Sequence, residues 1–269
     1  MTIQGISVFS GRAVEVDFDG ASILSAKERK PQPGLPYLAP GFFDLQVNGY
    51  RGIDYSSPGL QMEQVARLVT ELAASGTTRH LPTIISSPKE LILRNLRCLA
   101  RVRESAPELA QAIPGYHIEG PFISPTDGPR GAHSRSSVRN ADYDEFREWQ
   151  DAAAGRIRIV TLAPEVPGAL DLIARLTEEG VIASIGHSAS SPEGIREAVR
   201  AGARMSTHLG NGSHAQIPRL RNYIWEQLAC DDLVAGIITD GYHLPPAVVK
   251  TMTRAKGLDR LFLVTDVAV

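Results

Sequence analysis

The sequence predicts a (β/α)8 TIM-like barrel of the metal-dependent hydrolase type with a small, incomplete β domain ahead of it, and three observations lead there. Eight apolar strand-like runs recur between residues 41 and 269, amphipathic helical stretches separate them, and four polar residues, Glu119, His187, His208 and Asp266, fall where such runs end. Alternation of strand and helix marks a parallel sheet, and closing eight parallel strands brings their C-terminal ends to one rim. A chain of 269 residues suits one such barrel as well as two ordinary domains. One main domain is expected.

Residues 1–40 alternate short apolar runs (ISVF, AVEVDF, ASIL) with glycines and a proline-rich tail, KPQPGLPYLAPG. That texture reads as small antiparallel strands, the N-terminal part of a separate β domain. From residue 41 the eight runs are FFDLQVNG, TTRHLPTII, AIPGYHIEG, RIRIVTLAPE, VIASIGHS, RMSTHLGN, VAGIITDG and LFLVTDVA. Between the first two lies LQMEQVARLVTELAASG, whose Val65, Leu68, Val69 and Leu72 share one helical face, with Gly76 as its stop. Ser87, Pro88 and Glu90 predict the start of the next helix as N-cap, first-turn proline and capping-box acid, and Ser191-Pro192-Glu193 opens another in a similar way. No repeat of constant period points to a solenoid.

Lys and Arg number 28 against 30 Asp and Glu, a formal charge of −2, so no basic stripe advertises nucleic acid or an anionic membrane. A small-molecule partner is expected. The two cysteines, Cys98 and Cys230, lack the spacing of a thiolate metal site or a disulfide framework and read as packing residues. The first twenty residues carry no signal-peptide pattern, and no apolar stretch approaches the roughly 20 residues that span a bilayer. A cytoplasmic location follows as the expectation.

Two histidines and a carboxylate make a suitable shell for Zn²⁺ or another divalent transition metal, filling three positions and leaving one for water. Such an ion brings the pKa of bound water from about 15.7 to roughly 7. On this reading Glu119, His187 and His208 hold the ion and Asp266 carries the proton. Gly186 beside His187, Asn211 after His208 and Gly120-Pro121 after Glu119 let the backbone turn where a ligand needs room.

The strings APGFFDLQVNG, GYHIEGPFISP, GAHS, TLAPE, IGHS, THLGN, TDGYHLP and VTD run in order from residue 39 to the end. Together they resemble the N-acetylglucosamine-6-phosphate deacetylase family of the amidohydrolase superfamily. The resemblance implies hydrolysis of a 2-acetamido group to amine and acetate, with Glu119, His187 and His208 as metal ligands and Asp266 as general base and acid. It also implies that His243 polarises the acetyl carbonyl. Gln46 and Asn48 stand where many amidohydrolases carry a His-x-His pair; two residues apart, they face the barrel interior. Amides are poor ligands for transition metals, so one ion per site is expected, Zn²⁺ first, Fe²⁺ or Mn²⁺ also suitable. They join Asn211, His133, Arg219 and Arg221 as expected substrate contacts; the arginines, forked donors suited to phosphate, are in the family often shared across a homodimer. His80 and His117 read as structural.

The chain departs from that family in three places. After His208 the text is HLGNGSHAQIPRLRNYIW rather than the usual HL-x-NAM; Val267 stands where relatives carry alanine; and the sequence reaches Val269 just after the eighth strand. The 41–269 barrel would then lack its last helix, and the 1–40 strands would have open edges and exposed apolar surface. The readings left open are a deacetylase of another amino sugar, such as the galacto epimer or an unphosphorylated one, and a truncated, non-catalytic metal or sugar binder.

Overall fold

The computed structural model describes residues 1–20 and 22–269, which fall into two compact units, Met1–Phe42 and Phe43–Val269. In the first, β1 (Thr2–Ser7), β2 (Ala13–Phe18), β3 (Ile23–Glu28) and β4 (Tyr37–Leu38) form a sheet in the order β3-β2-β1-β4. Its hairpins are antiparallel, while β4 runs parallel to β1. Ile23 and Phe9 remain exposed on this unit.

In the second unit the eight expected runs all become strands. They are β5 (Phe42–Val47), β8 (Thr77–Ile85), β9 (Tyr116–Glu119), β10 (Ile157–Leu162), β11 (Ile182–Ile185), β12 (Met205–Ser206), β13 (Val234–Ile237) and β14 (Leu261–Leu263). They lie side by side in chain order, β5 at one end and β14 at the other. A small hairpin, β6 (Gly49–Tyr50) with β7 (Ile53–Asp54), follows the first. The helices are α1 (Met62–Ala74), α2 (Lys89–Ser105), α3 (Pro107–Ala112), α4 (Tyr143–Ala152), α5 (Ala169–Glu178), α6 (Pro192–Ala201), α7 (Tyr223–Ala229) and α8 (Pro246–Lys256). None is long and apolar enough to cross a membrane.

Local chemistry explains the helix ends, with one correction. α6 begins as expected: the Ser191 hydroxyl accepts from Gly194 N at 3.2 Å and Pro192 takes the first helical position. α2 does not. There Pro88 itself, at ψ 141°, is the cap, and no side chain caps the helix. The extended Pro88 moves the start one residue on, so the expected box of Ser87 and Glu90 is out of register, and the Pro88 carbonyl accepts from Leu91 N instead. Gly76 follows the C-cap Ser75 and donates to Ala73 O at 3.0 Å.

Burial divides the barrel into levels. Outside the strands, Val65, Leu68 and Leu72 of α1 join Ile92, Leu96 and Leu99 of α2 in the main core. Inside, Leu81, Ile159, Met205 and Phe262 pack together; they come from alternate barrel strands and form one layer of the interior expected of this architecture. Further toward the C-terminal ends the filling turns polar. His117 donates from Nδ1 to the Leu45 carbonyl at 3.1 Å, so its Nε2 accepts from Thr161 Oγ1 at 2.7 Å. That direction propagates: Thr207 donates to Thr161 at 2.6 Å and Ser184 to Thr207 at 2.5 Å. Every member is buried and partnered, which is the condition for such a chain to stabilise a core.

The barrel is nearly closed, and its seam is irregular. Between β5 and the segment after β14 stand Asp266 N to Gln46 O at 3.1 Å, and Asn48 N and Gly49 N to Val267 O at 2.9 and 3.0 Å. The buried Asp44 carboxylate accepts from Thr265 Oγ1 at 2.6 Å, Thr265 N at 3.1 Å and Gln46 N at 3.0 Å. Asp44→Ala strands those donors, and we expect a loss of about 1–3 kcal/mol in unfolding free energy by urea titration. An unchanged midpoint would mean that the seam does not depend on Asp44.

Candidate metal centre

Each of the four polar residues singled out in the sequence leaves its strand through a sharp turn. His187 (φ 51°), His208 (φ 30°) and Asp266 (φ 50°) adopt left-handed backbone, a conformation unusual for residues with a Cβ and concentrated at functional sites. Glu119 instead ends β9 and is followed by Gly120 at φ 72°.

Glu119, His187 and His208 converge. Glu119 Oε1 lies 3.1 Å from His187 Nε2 and 2.9 Å from His208 Nε2, and the two nitrogens are 3.1 Å apart. Glu119 and His208 are 2% exposed and His187 7%. His187 Nδ1 donates to the Pro129 carbonyl at 2.9 Å, so its Nε2 presents a lone pair to the cluster. Zinc bonds of about 2.0–2.1 Å place tetrahedral ligand atoms roughly 3.3 Å apart, close to this triangle. The donor set therefore fits a divalent transition metal.

The charges in this cluster are strongly coupled. Burial would raise the Glu119 pKa, but the His187 and His208 rings beside it outweigh burial and hold the carboxyl well below its ordinary range. Burial likewise opposes charging His208, and Glu119 reverses that, leaving its pKa raised. Asp266 is pushed up to about 6, first by burial and then by the Glu119 charge.

His133 approaches from the loop after β9, its Nε2 3.2 Å from His187 Nε2. The ligand atoms of Glu119, His133 and His187 lie within 4.8 Å of one another, so distance alone admits His133 as a ligand. Its tautomer argues otherwise. Ser86 N donates to His133 Nδ1 at 3.3 Å, with Ser86 Oγ at 2.7 Å; an accepting Nδ1 leaves the proton on Nε2, which is then a donor. Burial, followed by the neighbouring His187, lowers the His133 pKa to about 3 and keeps the ring neutral.

Gln46 and Asn48 reach the same place from β5 and the residue just beyond it. Gln46 Nε2 donates to Glu119 Oε1 and to Asp266 Oδ1, each at 2.9 Å, and Asn48 Nδ2 donates to Asp266 Oδ1 at 2.5 Å. Asn211 donates from Nδ2 to His208 O at 3.3 Å, bracing the turn that carries His208. The remaining candidates stand apart from this network among the described residues. His243 donates from Nδ1 to Asp240 Oδ2 at 2.7 Å on an exposed loop after β13. Arg221 is exposed and paired with Glu193 at 2.6 Å, and Arg219 is exposed beside it. His80 is buried against Tyr55 OH at 2.7 Å. Ser86 and Asp44 carried no sequence signal, since a serine just past a strand or an aspartate within one announces no partner.

Fold and cluster together define a (β/α)8-type barrel with a candidate metal position at the C-terminal ends of its strands, the class to which comparison with known proteins also assigns the chain. The chain belongs to the amidohydrolase family, which matches residues 37–266. It is 35% identical over 237 residues to N-acetylglucosamine-6-phosphate deacetylase of Bacillus subtilis, covering 87% of this chain and 59% of that protein. It is 34% identical over 229 residues to N-acetylgalactosamine-6-phosphate deacetylase of a Shewanella species, covering 85% and 56%. A solved alanine variant of N-acetyl-D-glucosamine-6-phosphate deacetylase from Mycobacterium smegmatis, in complex with N-acetyl-D-glucosamine-6-phosphate, superposes with a TM-score of 0.85 at 27% identity, over all of this chain and 71% of that one. The chain thus spans less than three fifths of the length of these curated relatives.

Two glycines hold the His187 ring in place. A Cβ on Gly212 would stand 2.7 Å from its Nδ1, and one on Gly131 3.1 Å from its Cε1. Gly212→Ala and Gly131→Ala each force the ring aside, and we expect metal affinity to fall about 10–100-fold, Gly212→Ala the more, as read by competition with a chromophoric chelator. Unchanged affinity in both would detach His187 from the metal.

Proposed function

We propose that this chain hydrolyses the N-acetyl group of N-acetylglucosamine-6-phosphate, giving glucosamine-6-phosphate and acetate in amino-sugar catabolism. The observation that carries the reading is the convergence of Glu119, His187 and His208 with Asp266 held beside them, in a chain whose curated relatives act on N-acetylated hexosamine phosphates.

In this reading Glu119, His187 and His208 hold one divalent ion, Zn²⁺ first and Fe²⁺ or Mn²⁺ also suitable. When bound, the ion supplies Lewis acidity toward the acetyl oxygen and a more acidic water. Asp266 removes a proton from the attacking water as its oxygen bonds to the acetyl carbon, then delivers that proton to the nitrogen as the C–N bond breaks. A carboxylate suits both halves: ionised it accepts the water proton, and its conjugate acid is strong enough to protonate an amine. His133 offers an N–H from Nε2, and His243, whose Nδ1 is held by Asp240 on the exposed loop after β13, is assigned the donor to the acetyl oxygen through its other ring nitrogen. Arg219 and Arg221 are assigned to the phosphate, Arg219 more freely because Arg221 is engaged by Glu193. Asn211 completes the sugar contacts. A homodimer is proposed with that arginine segment, and a cytoplasmic setting with the unpaired Cys98 and Cys230.

Acetate release from N-acetylglucosamine-6-phosphate by the zinc-loaded chain tests the reading; no release with metal bound would reject the substrate. Asp266→Asn is expected to retain metal and lose about 10²–10⁴-fold in kcat, and unchanged turnover would remove Asp266 as proton carrier. The Shewanella relative favours a second reading, the galacto epimer. A panel of gluco and galacto substrates with and without 6-phosphate, run on Arg219→Ala with Arg221→Ala, separates them. For a phosphate clamp, KM for the phosphorylated sugars rises about tenfold or more, and the unphosphorylated ones are indifferent to the change.

A further inference from the structure

The two amides on the first barrel strand do more than fill space beside the metal cluster. A primary amide carries two N–H groups on one nitrogen, and Gln46 directs its nitrogen to two carboxylates, Glu119 Oε1 and Asp266 Oδ1, each at 2.9 Å. Asn48 adds a second donor to the same Asp266 oxygen at 2.5 Å. Asp266 Oδ1 therefore accepts two N–H bonds, whereas no hydrogen bond from the described residues reaches its Oδ2. The amide orientations follow from their partners, since a carbonyl oxygen turned toward ionised carboxylates would be repelled.

We infer that Gln46 and Asn48 are positioning residues for proton transfer: they occupy Oδ1 of Asp266, so that Oδ2 alone exchanges a proton with the reacting groups. A proton arriving at Oδ1 would have to displace an N–H that already points at it, whereas Oδ2 meets no such obstacle. Gln46 also fixes the carboxylate against Glu119, and so against the metal position, through one shared nitrogen. This role replaces the sugar contact expected of both residues. It rests on the deacetylase reading for the identity of the step: Oδ2 gains the water proton as the O–C bond forms and returns it to nitrogen as the C–N bond breaks.

The test uses the zinc-loaded full chain with Asn48→Asp, isosteric but lacking the donor, and Gln46→Met. Each variant is expected to lose about 10–100-fold in kcat with KM within about twofold and zinc stoichiometry unchanged. On an Asp266→Asn background the same substitutions add little, because residues acting through one group are non-additive. A rise in KM at constant kcat, loss of zinc, or losses that multiply on that background would each overturn the inference. Side-chain amide resonances of Gln46 and Asn48 give a readout independent of turnover: Asp266→Ala should return both toward ordinary shifts, and unmoved resonances overturn the inference. Failure of the unsubstituted chain to release acetate rejects the deacetylase reading, while the amide shifts still decide whether these residues hold Asp266.

Discussion

A buried anion is the constraint on which the upper barrel depends. Glu119 sits almost sealed from solvent at the end of β9, and an uncompensated charge there would be expensive. The surroundings answer with the His208 ring and the Gln46 amide nitrogen at a single carboxylate oxygen, with His187 Nε2 3.1 Å from the same atom. The carboxylate and the two imidazoles are also what a divalent ion requires, so the same arrangement prepares a metal position. Removing any one partner leaves the rest mismatched, which is why strands so far apart in sequence have to be held in register.

That register comes from below. The apolar layer around Leu81, Ile159 and Met205 fixes the spacing of the strands, and the directional hydroxyl chain from Ser184 to His117 links five of them just beneath the cluster. His117 lies two residues before Glu119 on β9, and Thr207 immediately precedes His208. The positions of Glu119 and His208 are thereby tied to hydrogen bonds that never meet solvent.

Much of this was legible in the sequence. Eight apolar runs with a polar residue at each critical end located the strands and the rim, because buried parallel strands leave an almost continuous apolar record and a polar residue at the end of one stands out against it. Glu119, His187 and His208 were found that way. What stayed hidden depends on approach in space. No spacing rule joins Ser86 to His133, or Asp44 to Thr265, and the tautomer of His133 is set by a backbone N–H that any residue would supply. Gln46 and Asn48 were recognised as facing inward, yet their partners lay more than 200 residues away at Asp266. The start of α2 was misplaced by one residue because an extended Pro88 satisfies the same local preferences as a helical one.

The irregular seam between the first and last strands has a mechanical meaning. Asp266 belongs to the very joint that closes the ring, its backbone nitrogen bonded to Gln46 O and its side chain to Gln46 and Asn48. The stave that closes the cask therefore also carries the proposed proton carrier. Any breathing of the ring at this joint would change the distance between Asp266 and the cluster formed by the other strands, so thermal loosening should silence the proposed chemistry before the rest of the molecule melts.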